Sequence, residues 1–155
     1  MFHSPNPTLF GRPDGVLTET EALWRTVAGL RGVAAALAGS ASQVTIEARR
    51  LLANFSTNLA AYFNVKEAGG YFGAIVAERP DLEKRVTALT RGRAELKDSV
   101  TSVRRLSFRT ADRMELGRRI GGVVEGFEKH EQSENELLQT FFLDQERVDS
   151  HCEAP

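Results

Sequence analysis

Apolar residues recur along this chain at alternating steps of three and four over four separate stretches, the spacing that lines one inward face of an α-helix. The first stripe is Leu23, Val27, Leu30, Ala34 and Leu37. Thr18-Glu-Thr-Glu21 precedes it as a capping box, in which the threonine side chain accepts a backbone N–H three residues on and the glutamate returns the bond, so a helix start is predicted there. Gly39-Ser-Ala-Ser closes it. The second stripe, in a helix predicted from Ser42 or Gln43 to Glu67, is Leu52, Phe55, Leu59, Tyr62 and Lys66. Gly69-Gly70 then breaks the pattern, and the eight residues from Tyr71 to Glu78 read as a short helical continuation. Pro80 and Asp81 suit a helix start, which opens the third stripe: Leu82, Val86, Leu89, Arg93, Leu96, Val100 and Val103. The fourth, with Thr110 or Ser107 as its cap, is Leu116, Ile120, Val123, Phe127, His130, Glu134, Leu137 and Phe141. No stretch alternates with the period of a strand.

Four such segments joined by short connections predict an all-α fold, an antiparallel up-down-up-down four-helix bundle over residues 16–147. Residues 1–15, which contain Pro5, Pro7 and Pro13, read as an extended arm, and residues 148–155 as a disordered tail. Gly117, Gly121 and Gly122 weaken the first half of the last helix and predict either close packing or a kink there.

Composition narrows the function classes. The chain has 155 residues, 41% of them apolar and 26% charged, with a formal net charge of -1, which predicts no nucleic-acid partner and no acidic membrane surface. No apolar run approaches the length of a bilayer span, and Met1-Phe-His-Ser-Pro lacks the regions of a signal peptide, so cytoplasmic placement is expected. The single cysteine, Cys152, has no intrachain partner and excludes an intrachain disulfide. There is no Gly-rich phosphate loop, no nucleophile placed beside a base and no zinc-type Cys/His spacing, and the expectation is a protein without enzymatic activity.

The chemistry lies where the stripes turn polar. Three-and-four spacing sends Tyr62, Lys66, Arg93, His130 and Glu134 toward the bundle axis, with Val27 as the matching position on the first helix. His130 and Glu134, four apart on one face, are the pair by which a helix grips iron or manganese, and Glu131 adds a second carboxylate. Against a metal stand the ammonium of Lys66 and the guanidinium of Arg93, whose pairing with Glu134 and Glu131 closes the charge balance without one. For the remaining residues plainer roles compete: Tyr62 as a core aromatic with one hydrogen bond, Lys66 as a side chain that snorkels to water near the Gly-Gly break.

These residues carry a family resemblance. His130-Glu-x-x-Glu-Asn-Glu-Leu-Leu-Gln139 with Phe141-Phe142 and Asp144, Tyr62-Phe-Asn-Val-Lys-Glu67 with Gly70-Tyr71, and Leu89-Thr-Arg-Gly-Arg-Ala-Glu-Leu96 after Pro80-x-Leu82 together resemble the bacterial hemerythrin-like, or HHE cation-binding, domains. The resemblance implies a four-helix bundle which, when complete, holds a non-haem di-iron centre for oxygen or nitric oxide binding, iron sensing or storage. Where the family has histidine and glutamate on the second helix this chain has Tyr62 and Lys66, where the third has histidine it has Arg93, and Val27 aligns loosely with the first-helix histidine. Of the ligand positions, His130 and Glu134 remain.

The expected function is therefore a degenerate, metal-free hemerythrin-like bundle that acts as a structural, partner-binding or regulatory module, with a protein partner or self-association and no cofactor. Phe141-Phe142-Leu143 and Tyr71-Phe72 are the candidate contact patches. Two alternatives stay open. One is an iron protein, di-iron or mononuclear, with ligands drawn from Glu67, Glu95, His130, Glu131 and Glu134; the other is a small-anion pocket built on Arg93 and Lys66.

Overall fold

The computed structural model describes residues 13–37, 43–109 and 112–151, and the side chains within 20–37, 45–109 and 112–147. Most of the predicted arm and the end of the predicted tail lie outside these residues. Five helices follow one another: α1 (Pro13–Ala36), α2 (Gln43–Ala68), α3 (Tyr71–Glu78), α4 (Glu83–Arg109) and α5 (Arg113–His151), with a 3-10 turn at Pro80–Leu82 between α3 and α4. There is no strand among the described residues. None of the helices is long and apolar enough to cross a membrane.

The four long helices pack as a bundle in which α1 lies against α2 and α5, and α4 against α2 and α5. Each predicted stripe faces inward. Leu23, Val27 and Leu30 of α1 and Leu37 just after it are buried, as are Leu52, Phe55, Leu59 and Tyr62 of α2, the whole set from Leu82 to Val103, and the whole set from Leu116 to Phe141. Three-and-four spacing holds each set on one side of its helix, so burying that side removes the largest apolar area from water.

The helix ends depart from expectation. α1 begins at Pro13, so Thr18 lies inside the helix and is not its cap, and residues 13–15 belong to the helix rather than to an arm. Proline at a first position is preorganised for a helix and loses no donor there, a start signal that competes with the capping box. Ser107 likewise does not cap the last helix. It is buried inside α4 and its hydroxyl donates to Arg104 O at 2.6 Å. The cap of α5 is Asp112, whose Oδ1 accepts from the Glu115 N–H at 3.1 Å. At the other end α5 stays helical through His151, into the predicted tail.

Glycine is required at two places. Gly117 lets α5 approach α1, since a Cβ there would lie 3.0 Å from Ala34 O and 3.2 Å from the Leu37 Cβ. Gly121 and Gly122 have open space beside them, and nothing in the structure explains them. Gly70 ends α2 and starts α3 with φ 65°, in the left-handed region. A side chain at Gly70 would meet nothing within 4 Å, so Gly70→Ala tests backbone strain alone. It is expected to lower unfolding stability by about 1 kcal/mol, read from urea denaturation followed by circular dichroism.

After the left-handed turn α3 packs beside the smaller apolar core instead of lengthening α2. The apolar interior is consequently double. A larger core from α1, α2, α4 and α5 ends at Tyr62, Phe63, Leu96 and Phe127, and a smaller one holds Tyr71, Ile75, Leu82, Val86, Leu89, Leu137 and Phe141. Arg79 ties the cover down, donating to Asp144 of α5 at 2.7 Å and, through Nε and Nη2, to Asp81.

Candidate functional site

Between the two cores lies a polar layer. Along α4, Arg93 falls between Leu89 of the smaller core and Leu96 of the larger; along α5, His130, Glu131 and Glu134 fall between Phe127 and Leu137. Lys66 reaches in from the last turn of α2, with its side chain 12% exposed, so it is drawn into the layer instead of snorkelling out. Tyr62 joins from one turn earlier, and Tyr71 from the first position of α3.

Glu134 is the hub. It is 2% exposed and receives Lys66 Nζ on Oε1 at 2.7 Å, Arg93 Nη2 on Oε2 at 3.2 Å, and the Tyr71 hydroxyl on Oε1. Glu131 accepts from the Tyr62 hydroxyl at 2.6 Å and lies 3.5 Å from Lys66 Nζ. Arg93 also donates to Tyr71 Oη at 2.9 Å, and its guanidinium lies over the Phe72 ring, 4.4 Å from the centroid. The Lys66 ammonium sits 4.2 Å from the centroid of Tyr62. Buried charges persist when each has a partner and the remaining protons and lone pairs are bonded, and this layer meets that condition almost everywhere.

Two atoms escape it. Arg93 Nε and His130 Nε2 are buried with no hydrogen-bond partner among the described residues. His130 Nε2 lies 3.4 Å from Glu134 Oε2, too poorly placed for a full hydrogen bond but close enough for an N–H there to favour the carboxylate's charge. Its ring is braced edge-on against Phe63, with centroids 5.6 Å apart, and its Nδ1 side backs onto Gly92, where a Cβ would come within 3.1 Å.

Electrostatics keep the carboxylate charged. Burial alone would raise the pKa of Glu134, but the His130 imidazole, the Lys66 ammonium and the Tyr71 hydroxyl outweigh it and hold the carboxyl well below the usual carboxylate range. Burial pushes the Tyr62 hydroxyl up, with Glu131 adding to it, and burial and Glu134 do the same for Tyr71. Both phenols therefore stay neutral donors. Lys66 and Arg93 set two positive side chains against the two carboxylates of Glu131 and Glu134, so these ion pairs close on themselves.

No family model, curated protein or solved structure matches the chain. The site must be read from its own atoms.

His130, Glu131 and Glu134 offer ligand atoms that all lie within 4.8 Å of one another, a donor set of the right size for an open metal site. They do not fit a metal while Lys66 is present. The ammonium occupies the two Oε1 atoms that converge on the cluster, and a dication there would face it and the Arg93 guanidinium together. The other proposed ligands stand outside: Glu67 is 53% exposed, with one carboxylate oxygen 4.0 Å from Arg93 Nη1, and Glu95 lines a surface groove between α4 and α5. Val27 is buried in the larger core, where it supplies methyl groups and no donor.

Sequence spacing did not find Tyr71 as a member of the layer. The sequence places it with Phe72 in a candidate contact patch, yet Tyr71 is buried and Phe72 is half-buried over Arg93. The available signal was the Gly70 break, a left-handed turn after which the first residue, Tyr71, is buried against Glu134. Of the other patch only Leu143 is exposed, since Phe141 is buried and Phe142 packs on the smaller core.

Proposed function

We propose that the chain is a degenerate hemerythrin-like bundle, up-down-up-down in its four long helices, that works without metal as a cytoplasmic structural, partner-binding or regulatory module and not as an enzyme. The cyclic packing order α1, α2, α4, α5 supports that topology, as do the short connections from α1 to α2 and from α4 to α5, because short loops make sequential helices antiparallel neighbours. One observation carries the metal-free reading: Lys66 Nζ lies against an oxygen of each carboxylate, 2.7 Å from Glu134 and 3.5 Å from Glu131. A lysine cannot share those oxygens with a dication, and Lys66 and Arg93 already balance the two carboxylates.

A braced layer between two cores has a structural use, since it fixes the register of α2, α4 and α5 and the seat of α3. Function then falls to the surface. Ile46, Phe108, Met114 and Leu143 are the large apolar side chains most exposed to water, and they are the residues through which a protein partner or a second copy would be engaged. Two grooves among the described residues, one between α1 and α2 and one between α4 and α5, are lined by neither Lys66 nor Arg93, so they lend nothing to the small-anion alternative.

Iron content tests the reading. Elemental analysis of the purified protein, before and after anaerobic reconstitution with ferrous iron and desalting, is expected to find iron far below one per chain and no near-ultraviolet band. Stoichiometric, retained iron would overturn it in favour of an oxygen- or nitric oxide-binding iron protein.

A further inference from the structure

Four helix ends gather at one place, away from the polar layer. Arg49, in the second turn of α2, donates to Ser107 O near the end of α4 from Nε at 3.0 Å and from Nη2 at 2.9 Å. α5 starts at Arg113 soon after α4 ends at Arg109, and Gly117 of α5 meets Ala34 and Leu37 at the end of α1. Three of the four large apolar side chains most open to water belong here: Ile46 of α2 at 68% exposure, Phe108 of α4 at 69% and Met114 of α5 at 73%. Phe108 is held in that exposed position, since the Arg49 guanidinium that bonds the Ser107 carbonyl also lies over its ring, 4.7 Å from the centroid.

The charge around them is one-sided. Residues 43–50, 101–109 and 112–119 contain eight arginines, no lysine and three acidic residues. The acidic three are already engaged, Glu47 with Arg50, Glu115 with Arg118 and Arg119, and Asp112 as the cap of α5. Arg104, Arg105, Arg109 and Arg113 form no salt bridge among the described residues, and Arg105 and Arg109 are exposed. The formal net charge of -1, which gives no reason to expect an acidic membrane surface, averages this basic end with an acidic remainder.

We propose that this end docks on an anionic bilayer surface, with Ile46, Phe108 and Met114 entering the headgroup region and the arginines pairing with lipid phosphates and acidic headgroups. The three apolar residues stand on three different helices, and neither groove is lined by any of them, so they present no pocket in which a folded partner would seat a side chain. A bilayer requires none. Apolar side chains enter the boundary between headgroups and acyl chains one by one, and nearby cations add the attraction of the anionic leaflet. The use of arginine alone agrees, because a guanidinium fork pairs two-pronged with phosphate where an ammonium acts as a point charge. Nucleic acid would take the arginines and stack on Phe108, but it would leave Ile46 and Met114 in water. The contact is peripheral, since no described helix is long and apolar enough to cross a membrane. It goes beyond the partner-binding reading, and an iron centre in the polar layer would leave it untouched.

Flotation of the full chain with vesicles tests the proposal. Vesicles of phosphatidylcholine with about a third phosphatidylserine are expected to carry the protein, and vesicles of phosphatidylcholine alone are not. Arg105→Gln and Arg109→Gln should each weaken binding about fivefold, the share of one cation beside an anionic leaflet. Phe108→Ser should weaken it about tenfold or more, the order for withdrawing an apolar ring from the boundary. Ile46→Ser provides the same comparison should Phe108→Ser lose its helical circular dichroism. Leu143→Ser, about 40 Å from Met114 along α5, should bind as the wild type does. A folded wild type that stays off phosphatidylserine vesicles overturns the proposal, and its retention by a single-stranded DNA oligonucleotide in that case assigns the arginines to nucleic acid. Equal binding to both kinds of vesicle also overturns it. So does binding undiminished by Phe108→Ser and Ile46→Ser, which is charge attraction alone.

Discussion

Glu134→Ala is expected to cost about 3–5 kcal/mol of unfolding stability, because the deletion leaves Lys66 and Arg93 buried with too little negative charge between them. The cost comes less from a lost attraction than from the two uncompensated cations. It follows that Glu134→Leu combined with Lys66→Met and Arg93→Leu should recover most or all of the loss, since an apolar layer of similar volume often matches or exceeds a buried ion network. Urea denaturation of the single and combined variants checks both statements. A single-variant loss below about 1 kcal/mol, the range of exposed pairs, would mean that water reaches the layer. The same carboxylate gives the folded state an acid limb. Its pKa is depressed on folding, so the unfolded chain takes up the proton more readily. Stability from Glu134 is then fully present above the unfolded carboxylate pKa, about 4.3, and drains away as pH falls below it toward the folded value. Between about pH 7 and pH 3, Glu134→Gln should be less stable at the neutral end and show a shallower decline than the wild type.

Much of this layer was legible before any coordinates. The same three-and-four count that finds Leu89 and Leu96 also delivers Arg93 between them, and the count that finds Phe127 and Leu137 delivers His130 and Glu134. Periodicity places a polar residue as firmly as an apolar one, provided that its helix is long enough to have a face. It fails where position is set by something other than a helix's own phase. Tyr71 opens a helix of eight residues, and its burial follows from the left-handed turn at Gly70, a direction change that no count across α2 or α3 contains.

The ends of helices were harder for a related reason. Thr18, Ser107 and Pro13 are all reasonable terminal residues by local chemistry, and local chemistry alone does not rank them. Ser107 has capping chemistry but sits on the buried face of α4, where Arg49 of α2 donates to its carbonyl from Nε at 3.0 Å and Nη2 at 2.9 Å. That contact across two helices keeps α4 going to Arg109 and leaves the cap to Asp112. The pairing of the carboxylates was also only half visible. Spacing gave Lys66 and Arg93 as counter-ions, but the division of labour, with lysine at the convergence point and arginine outside it, depends on side-chain reach in three dimensions.

Phe127→Ala is the second large effect expected, at about 3–5 kcal/mol, and it tests how the polar layer depends on the core beneath it. Phe127 is fully buried in the last apolar turn before His130, edge-on to Phe55 at 5.8 Å and to Tyr62 at 6.4 Å, and 5.2 Å from Trp24. Part of the loss is the transfer of its ring to water and part is the cavity that the four surrounding helices cannot close. Tyr62 links this position to the layer, since its ring packs on Phe127 and its hydroxyl holds Glu131. The losses from Phe127→Ala and Tyr62→Phe should therefore fail to add, with an interaction energy of about 0.5 kcal/mol or more in a double-mutant cycle. Strict additivity would mean that the layer stands independently of the core. Trp24, the chain's single tryptophan, loses its ring contact in the same variant, so a change in its fluorescence should accompany the fall in stability. Phe127→Leu, which keeps most of the volume, should retain the Tyr62–Glu131 geometry and lose substantially less.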